Sequence, residues 1–148
     1  MQVDFYHLTQ SPLDRVLPSI AQRVVAGGGR LLVVSEDAAQ RAAIDRLLWT
    51  YAADSFLPHA QAGEGDDSMQ QVLIGAEPEP APGNGARHLA MIDGRWREAA
   101  LSYDRAFHFF DEANIAAARE AWKSLAAQEG VERRYWKQDE NGRWAQAA

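Results

Sequence analysis

The sequence contains no cysteine, only two lysines and no long apolar segment. The lack of cysteine excludes a disulfide framework, a thiolate zinc site, an iron–sulfur cluster and a cysteine nucleophile, and it fits a reducing compartment. A membrane-spanning helix needs roughly 18 consecutive apolar residues, and a secretory signal needs a basic segment followed by an apolar one. The N-terminus MQVDFYHL has neither feature. We therefore expect a cytoplasmic protein.

Positive charge is also scarce, with 15 Lys and Arg against 21 Asp and Glu and a net charge of −6. Residues 61–83 carry five acidic side chains and no basic one. Broad binding to nucleic acid needs a basic stripe on the protein surface. We therefore expect no sequence-specific binding to nucleic acid, although small local basic sites remain open.

The length of 148 residues predicts one domain, because domains typically hold about 100 to 200 residues. The Pro- and Gly-rich segment 76–86 is too short to separate two domains and indicates a surface loop.

Hydrophobic patterning predicts a βαβ unit at the N-terminus, with strands at 3–8 and 30–35. Between them, apolar residues at helical spacing follow Ser11, a candidate N-cap, and Pro12, a candidate first helical residue. Pro18 predicts a kink or a restart of that helix, and the glycines at 27–29 predict its C-terminal cap.

The rest of the chain continues to alternate strands with helices. Further strands are predicted at 71–75, 88–92 and 105–110, a hairpin at Asn141-Gly142, and helices at 37–49 (Ala43, Leu47 and Leu48 inward) and from an Asn114 cap to 128. Residues 50–68 are predicted as a long loop. This alternation predicts an α/β fold with an open, mainly parallel sheet and helices on both faces.

The glycine clusters and the histidines do not support a catalytic or nucleotide site. Neither 27–29 nor 63–65 matches a phosphate-binding motif, so both indicate turns. No histidine pair has the spacing of a helical zinc site, and we expect no metal. Ser55, His59 and Asp54 are adjacent in one segment, which does not ordinarily align a catalytic triad.

Two aromatic clusters remain as candidate binding surfaces. The first combines Trp49 with Phe56 in the segment that follows the second helix, and the alternative is a hydrophobic cluster that anchors a long loop. In the second, Arg119, Trp122 and Lys123 share one helix face, which suits an acidic peptide with an apolar end. The alternative there is a solvated face with Trp122 half buried.

The chain resembles the chi subunit family of bacterial DNA polymerase III over almost its whole length. The resemblance rests on FYHL at the N-terminus, LLW followed by SFLPH and AGEG, AREAWK in the last helix, and the YWKQDENGRW ending. It implies a Rossmann-like α/β fold that carries no nucleotide and no cofactor. It also implies a non-catalytic accessory protein of the clamp loader.

The resemblance further implies two partners. One is the acidic C-terminal tail of single-stranded DNA-binding protein, held by Arg119 and Lys123 as cations and by Trp122 and Phe110 as apolar walls. The other is the psi subunit of the clamp loader or an accessory helicase, docked on Trp49 and Phe56. From the residues alone, a small nucleotide- or metal-using α/β enzyme and a structural domain with unknown partners remain alternatives.

Overall fold

The computed structural model describes residues 1–51 and 57–148. They form one sheet with strands β1 to β8 and three α-helices, α1 to α3. The strands are β1 Gln2–His7, β2 Leu31–Val34, β3 His59–Gln61, β4 Val72–Gly75, β5 His88–Met91, β6 Arg105–Phe110, β7 Glu132–Gln138 and β8 Trp144–Gln146. The helices are α1 Leu13–Ala26, α2 Ala38–Thr50 and α3 Ile115–Leu125, with short 3₁₀ helices at Asp67–Met69, Glu98–Ser102 and Glu112–Asn114.

The sheet order is β3-β4-β2-β5-β6-β1-β7-β8. Every pairing is parallel except β7 with β8, which is antiparallel. The predicted α/β class with an open, mainly parallel sheet is therefore confirmed.

Side chains alternate across the sheet and build a separate core on each face. On one face, Tyr6 and Phe109 pack with residues of α1 and α2. On the other, Phe5 and Phe110 pack with Ala118, Ala121 and Leu125 of α3. Successive residues of a strand point to opposite faces, so each central strand contributes to both cores.

The first helix starts one residue later than predicted, because Pro12 and not Ser11 is its N-cap. The Ser11 hydroxyl instead accepts a hydrogen bond of 2.8 Å from Gln138 Nε2. The helix is continuous through Pro18, so of the two predicted alternatives, a kink or a restart, the restart does not occur. It ends as predicted at the glycines, where Gly28, with φ +88°, donates to the carbonyl of Val25.

The second helix begins at Ala38, one residue after the predicted start, because Asp37 is its N-cap and accepts from the Ala39 amide at 2.9 Å. Its inward face is rotated from the prediction: Ile44 and Leu48 are buried, Leu47 packs partly against the core, and Ala43 is exposed. Strand β3 was not predicted from the sequence: it lies inside the segment predicted as a loop, and it pairs with β4.

The C-terminal third agrees with the sequence in its elements and differs at helix ends. Asn114 makes no side-chain cap on α3; it accepts from the Asp111 amide at 2.9 Å and so caps the preceding 3₁₀ helix. The helix stops at Leu125 rather than 128. The predicted hairpin is confirmed, with Gly142 at φ +77° in the turn between β7 and β8. Within the described part of the chain, no helix is long and apolar enough to span a membrane.

Candidate functional site

The third helix presents two cations to solvent. Its apolar stripe, formed by Ala118, Ala121 and Leu125, is buried against the sheet. Arg119 and Lys123 are exposed and lie one turn apart, a spacing that places both side chains on one face of a helix. We call Arg119, Trp122 and Lys123, together with Arg133 and Tyr135 of β7, the α3 surface.

Trp122 lies half-buried at the base of the α3 surface. Its ring meets Phe5 and Tyr135 edge to face, at centroid distances of 5.3 Å and 5.6 Å. The Arg133 guanidinium covers the ring at 4.1 Å from the centroid and donates to the Trp122 carbonyl at 2.5 Å. Cation–π and edge-to-face contacts of this kind hold an aromatic ring in one orientation, so Trp122 is a fixed part of this surface.

Tyr135 on β7 connects the helix to the sheet. Burial raises the pKa of Tyr135; Glu112 adds to the increase, whereas Arg119 opposes it. The phenol therefore stays neutral at ordinary pH and is available to donate a hydrogen bond.

Phe110 lies beneath this surface and not on it. Its side chain is 2% exposed, stacks on His7 at 5.0 Å and meets Tyr135 at 5.7 Å. The His7 Nε2 atom lies 2.9 Å from Glu112 Oε1. Of the four residues named for this site from the sequence, Arg119, Trp122 and Lys123 lie on one helix, and Phe110 is linked to Trp122 through the rings of Phe5 and Tyr135.

Arg133 and Tyr135 were missed in the sequence analysis. Both lie on β7, and they point to the same face of the sheet because they are two residues apart. The signal in the sequence was the alternation of Arg133, Tyr135 and Lys137 along β7, and the structure adds the parallel pairing of β7 with β1. Only the pairing tells which helix that face meets.

Trp49 belongs to a second surface, at the end of α2. Its side chain is 58% exposed, and its ring lies 4.7 Å from the ring of His59 on β3. His59 is buried, and its two ring nitrogens lie 2.7 Å from the Leu57 carbonyl and 3.0 Å from the Asp45 carbonyl. Phe56, predicted to act with Trp49, lies outside the described residues.

His59 thus has a structural role, and the same holds for His108. The His108 side chain is fully buried, and burial lowers its pKa to about 4. Among the described residues, no three His, Asp or Glu side chains are grouped so as to hold a metal ion. What the α3 surface offers is binding chemistry: two exposed cations, the guanidinium of Arg133 over an indole ring, and a neutral phenol.

Comparison with known proteins gives the family. A family model described as DNA polymerase III chi subunit, HolC, matches residues 1–132. The DNA polymerase III subunit chi of Escherichia coli (strain K12) is 28% identical over 116 residues, which cover 77% of this chain and 78% of that protein. The match spans the βαβ unit, the α2 end that carries Trp49, and all of α3. The chain belongs to the DNA polymerase III chi subunit family.

Proposed function

We propose that this protein is a non-catalytic accessory subunit of the polymerase III holoenzyme that links the clamp loader to single-stranded DNA-binding protein. It does so by binding the acidic C-terminal tail of that protein at the α3 surface. The observation that supports the proposal is that exposed Arg119 and Lys123 share one face of α3 with Trp122, whose ring is covered by the Arg133 guanidinium.

Each part of the α3 surface matches one part of such a tail. A guanidinium grips a carboxylate through two parallel hydrogen bonds, so Arg119 is assigned to the terminal carboxylate. Lys123 adds a point charge for an acidic side chain one turn away. Trp122 and Tyr135 offer aromatic surface for the apolar end residue, and capture of a C-terminal carboxylate is a known mode of peptide recognition.

Phe110 has an indirect role in this proposal. It is buried under Tyr135 and His7, so it supports the ring that the peptide touches.

Arg119→Ala is predicted to weaken binding of the tail more than Lys123→Ala does. Loss of the carboxylate partner should cost about 2 kcal/mol or more, roughly thirty-fold in Kd, much of it from the carboxylate left unpaired. Calorimetry with an acidic peptide ending in Pro-Phe measures this, with Arg119→Lys to separate charge from bidentate geometry. Affinity should fall with salt, because exposed charges are screened.

Two controls keep this experiment specific. Arg15→Ala removes an exposed arginine of α1 that lies outside the α3 surface, and it should leave the affinity unchanged. A peptide with an amidated C-terminus should bind as weakly as the free-acid peptide binds Arg119→Ala. Equal binding of both peptides, or unchanged affinity in folded Arg119→Ala, contradicts the assignment.

We propose that Trp49 and Phe56 form a second, independent surface that docks the psi subunit or an accessory helicase. The exposure of Trp49 on α2 supports this, because interface energy concentrates in aromatic side chains that become buried. Trp49→Ala and Phe56→Ala should each cost on the order of 2 kcal/mol in that binding.

The two surfaces serve as controls for each other. Trp49→Ala should keep its affinity for the tail peptide, and Arg119→Ala should keep its affinity for the purified psi subunit or helicase of the source organism. Calorimetry on both variants measures this. If Trp49→Ala loses the peptide as well, the two-surface proposal is wrong.

A further inference from the structure

A cavity of about 580 Å³ lies at the amino-terminal edge of the sheet, on the face covered by α1. It opens between the glycine turn after α1 and the starts of β5 and β6. Its cationic lining comes from four separate segments of the chain and consists of Arg23, Arg30, Arg87 and Arg105, with His88 beside them. The α3 surface is on the opposite face of the sheet, so the cavity is separate from it.

The positive charge of this cavity is only partly neutralised. Arg30 donates to two carbonyls, those of Ser68 at 2.5 Å and Asn84 at 3.1 Å, and these carry no net charge. Arg87 donates to the Ser102 carbonyl at 2.7 Å and lies 3.2 Å from Asp104. Asp104 is the acidic side chain that lines the cavity.

Arg23 is the most available of the four. It is exposed in the last turn of α1, and within the described ranges its side chain makes no hydrogen bond and no ion pair. Its guanidinium is therefore free to meet a ligand without first leaving a protein partner.

Arg105 is held rigidly while its outer edge remains open. Its Nε donates to the buried carboxylate of Asp4 at 2.8 Å, and its guanidinium lies over the Phe107 ring at 4.8 Å. With respect to the described part of the chain, its two terminal nitrogens make no hydrogen bond. Nearby, the buried His88 Nδ1 atom has no hydrogen-bond partner among the described residues. Fixed donors with unused hydrogens are the usual content of an anion site.

The glycine turn shapes the cavity but does not supply its donors. The amides of Gly27, Gly28 and Gly29 donate to carbonyls of α1 and cap that helix, so the anion must be held by side chains. A side chain on Gly29 would start 3.1 Å from both His88 and Val24. The absence of side chains at this turn therefore keeps the cavity open.

The charge count indicates which anion fits. Four arginines set against Asp104 and the buried Asp4 leave a formal excess of two positive charges at the cavity, in a chain whose net charge is −6. A phosphate monoester carries nearly two negative charges at neutral pH and three acceptor oxygens. A carboxylate carries one charge and is satisfied by one guanidinium.

We propose that this cavity binds a phosphate monoester, and the sources to be distinguished are a free nucleotide and the 5′ end of a nucleic acid strand. Arg23, Arg87 and Arg105 hold the phosphate oxygens. Open α/β sheets ordinarily bind ligands at the carboxyl ends of their strands. This cavity lies at the opposite edge, so the proposal depends on the arginines and not on the fold.

Amide NMR spectra of the full chain test the proposal with four probes: inorganic phosphate, dTMP, a 5′-phosphorylated oligothymidylate and the same oligomer without the phosphate. Saturable shifts are expected at the amides of 27–29 and Gly85, which line the cavity. Binding of dTMP alone assigns a free nucleotide; binding of dTMP and the phosphorylated oligomer assigns a strand end.

Arg23→Glu should weaken dTMP binding at least ten-fold, and Arg87→Gln should weaken it in the same direction. Arg15→Glu, a matched charge reversal on an exposed residue of the same helix, should leave the affinity unchanged. Circular dichroism checks that each variant is folded.

Three results overturn the proposal. One is the absence of shifts at these glycines with millimolar phosphate and dTMP, and another is equal binding of both oligomers. The third is an acidic tail peptide that shifts these glycines and is displaced by dTMP, which makes the cavity a peptide site. Arg119→Ala should not alter dTMP binding, so failure at the α3 surface is distinguishable from failure here.

Discussion

His108 predicts a specific loss of stability in mild acid. Its side chain is fully buried between Phe5, Trp96 and Phe110. Burial lowers its pKa from 6.5 to about 4, and although nearby Asp93 opposes this, Arg97 reinforces it. In the folded protein the imidazole is therefore neutral at pH values at which the unfolded chain is already protonated.

The sign and size of this change in stability follow from proton linkage. Between pH 6.5 and about 4 the unfolded state binds the proton and the folded state does not, so the free energy of unfolding falls as the pH falls. From about pH 7.5 to about pH 5, this one group should cost about 2 kcal/mol, and by pH 4 about 3 kcal/mol. The total free energy of unfolding of a small domain is only about 5 to 15 kcal/mol.

Urea unfolding at about pH 7.5 and about pH 5, on the wild type and on His108→Phe, measures this loss of stability. The phenylalanine keeps a ring among Phe5, Trp96 and Phe110 and removes the titrating group. The wild type should lose about 2 kcal/mol more than the variant does on going to the lower pH. His108→Gln provides a second non-titrating variant in case the larger ring does not fit.

Titration of carboxylates is common to all three proteins and cancels in this comparison. If wild type and both variants lose the same stability between the two pH values, then His108 is not held neutral by burial and the reasoning is refuted. A direct NMR titration of the His108 ring supplies the same test without a mutation: its pKa must lie well below 6.5.

Three further predictions concern stability and are measured by urea unfolding. Asp4→Asn should cost about 3 to 5 kcal/mol, because the buried Asp4 carboxylate accepts from Arg105 and from Trp136 Nε1 at 3.0 Å; a loss below 1 kcal/mol contradicts this. Leu48→Ala should cost about 2 to 5 kcal/mol, whereas Ala43→Gly, at an exposed helix position, should cost about 1. Gly142→Ala should cost on the order of 1 to 3 kcal/mol, since φ is +77° there.

The elements with strong local signals could be predicted from the sequence. The apolar run of β2 and the glycines after α1 define their own boundaries, and β6 is found at residues 105–110 as predicted. The inward face of α2 could not be predicted, because Ala-rich segments give a weak hydrophobic stripe. Burial of Ile44 in place of Ala43 depends on the tertiary contacts of the helix.

The errors at the first helix and at β3 have non-local causes. The Ser11 side chain is engaged by Gln138, more than a hundred residues away, and no local rule for helix caps contains that information. Strand β3 has three residues and pairs with one neighbour at the sheet edge. A pattern of period two is not detectable over so short a segment.

The candidate site likewise contains residues that local spacing predicts and residues that depend on strand pairing. Spacing along one helix was sufficient to bring Arg119, Trp122 and Lys123 together. Arg133 and Tyr135 required knowledge that β7 pairs with β1, because only then does their face of the strand lie beside α3. The burial of Phe110 beneath Tyr135 likewise depends on strand order, which no single segment encodes.

The position of β1 has a consequence for how the protein folds during synthesis. Its residue Gln2 pairs with Arg105 on one side and Glu132 on the other, so both neighbours of the first strand are made more than a hundred residues later. At about 5 to 20 residues per second, the nascent first strand waits on the order of ten seconds for a partner. Closing such long loops before any pairing forms slows folding. During that interval the apolar side chains of FYHL are exposed to chaperones, and the ribosome must release nearly the whole chain before the sheet can close around them.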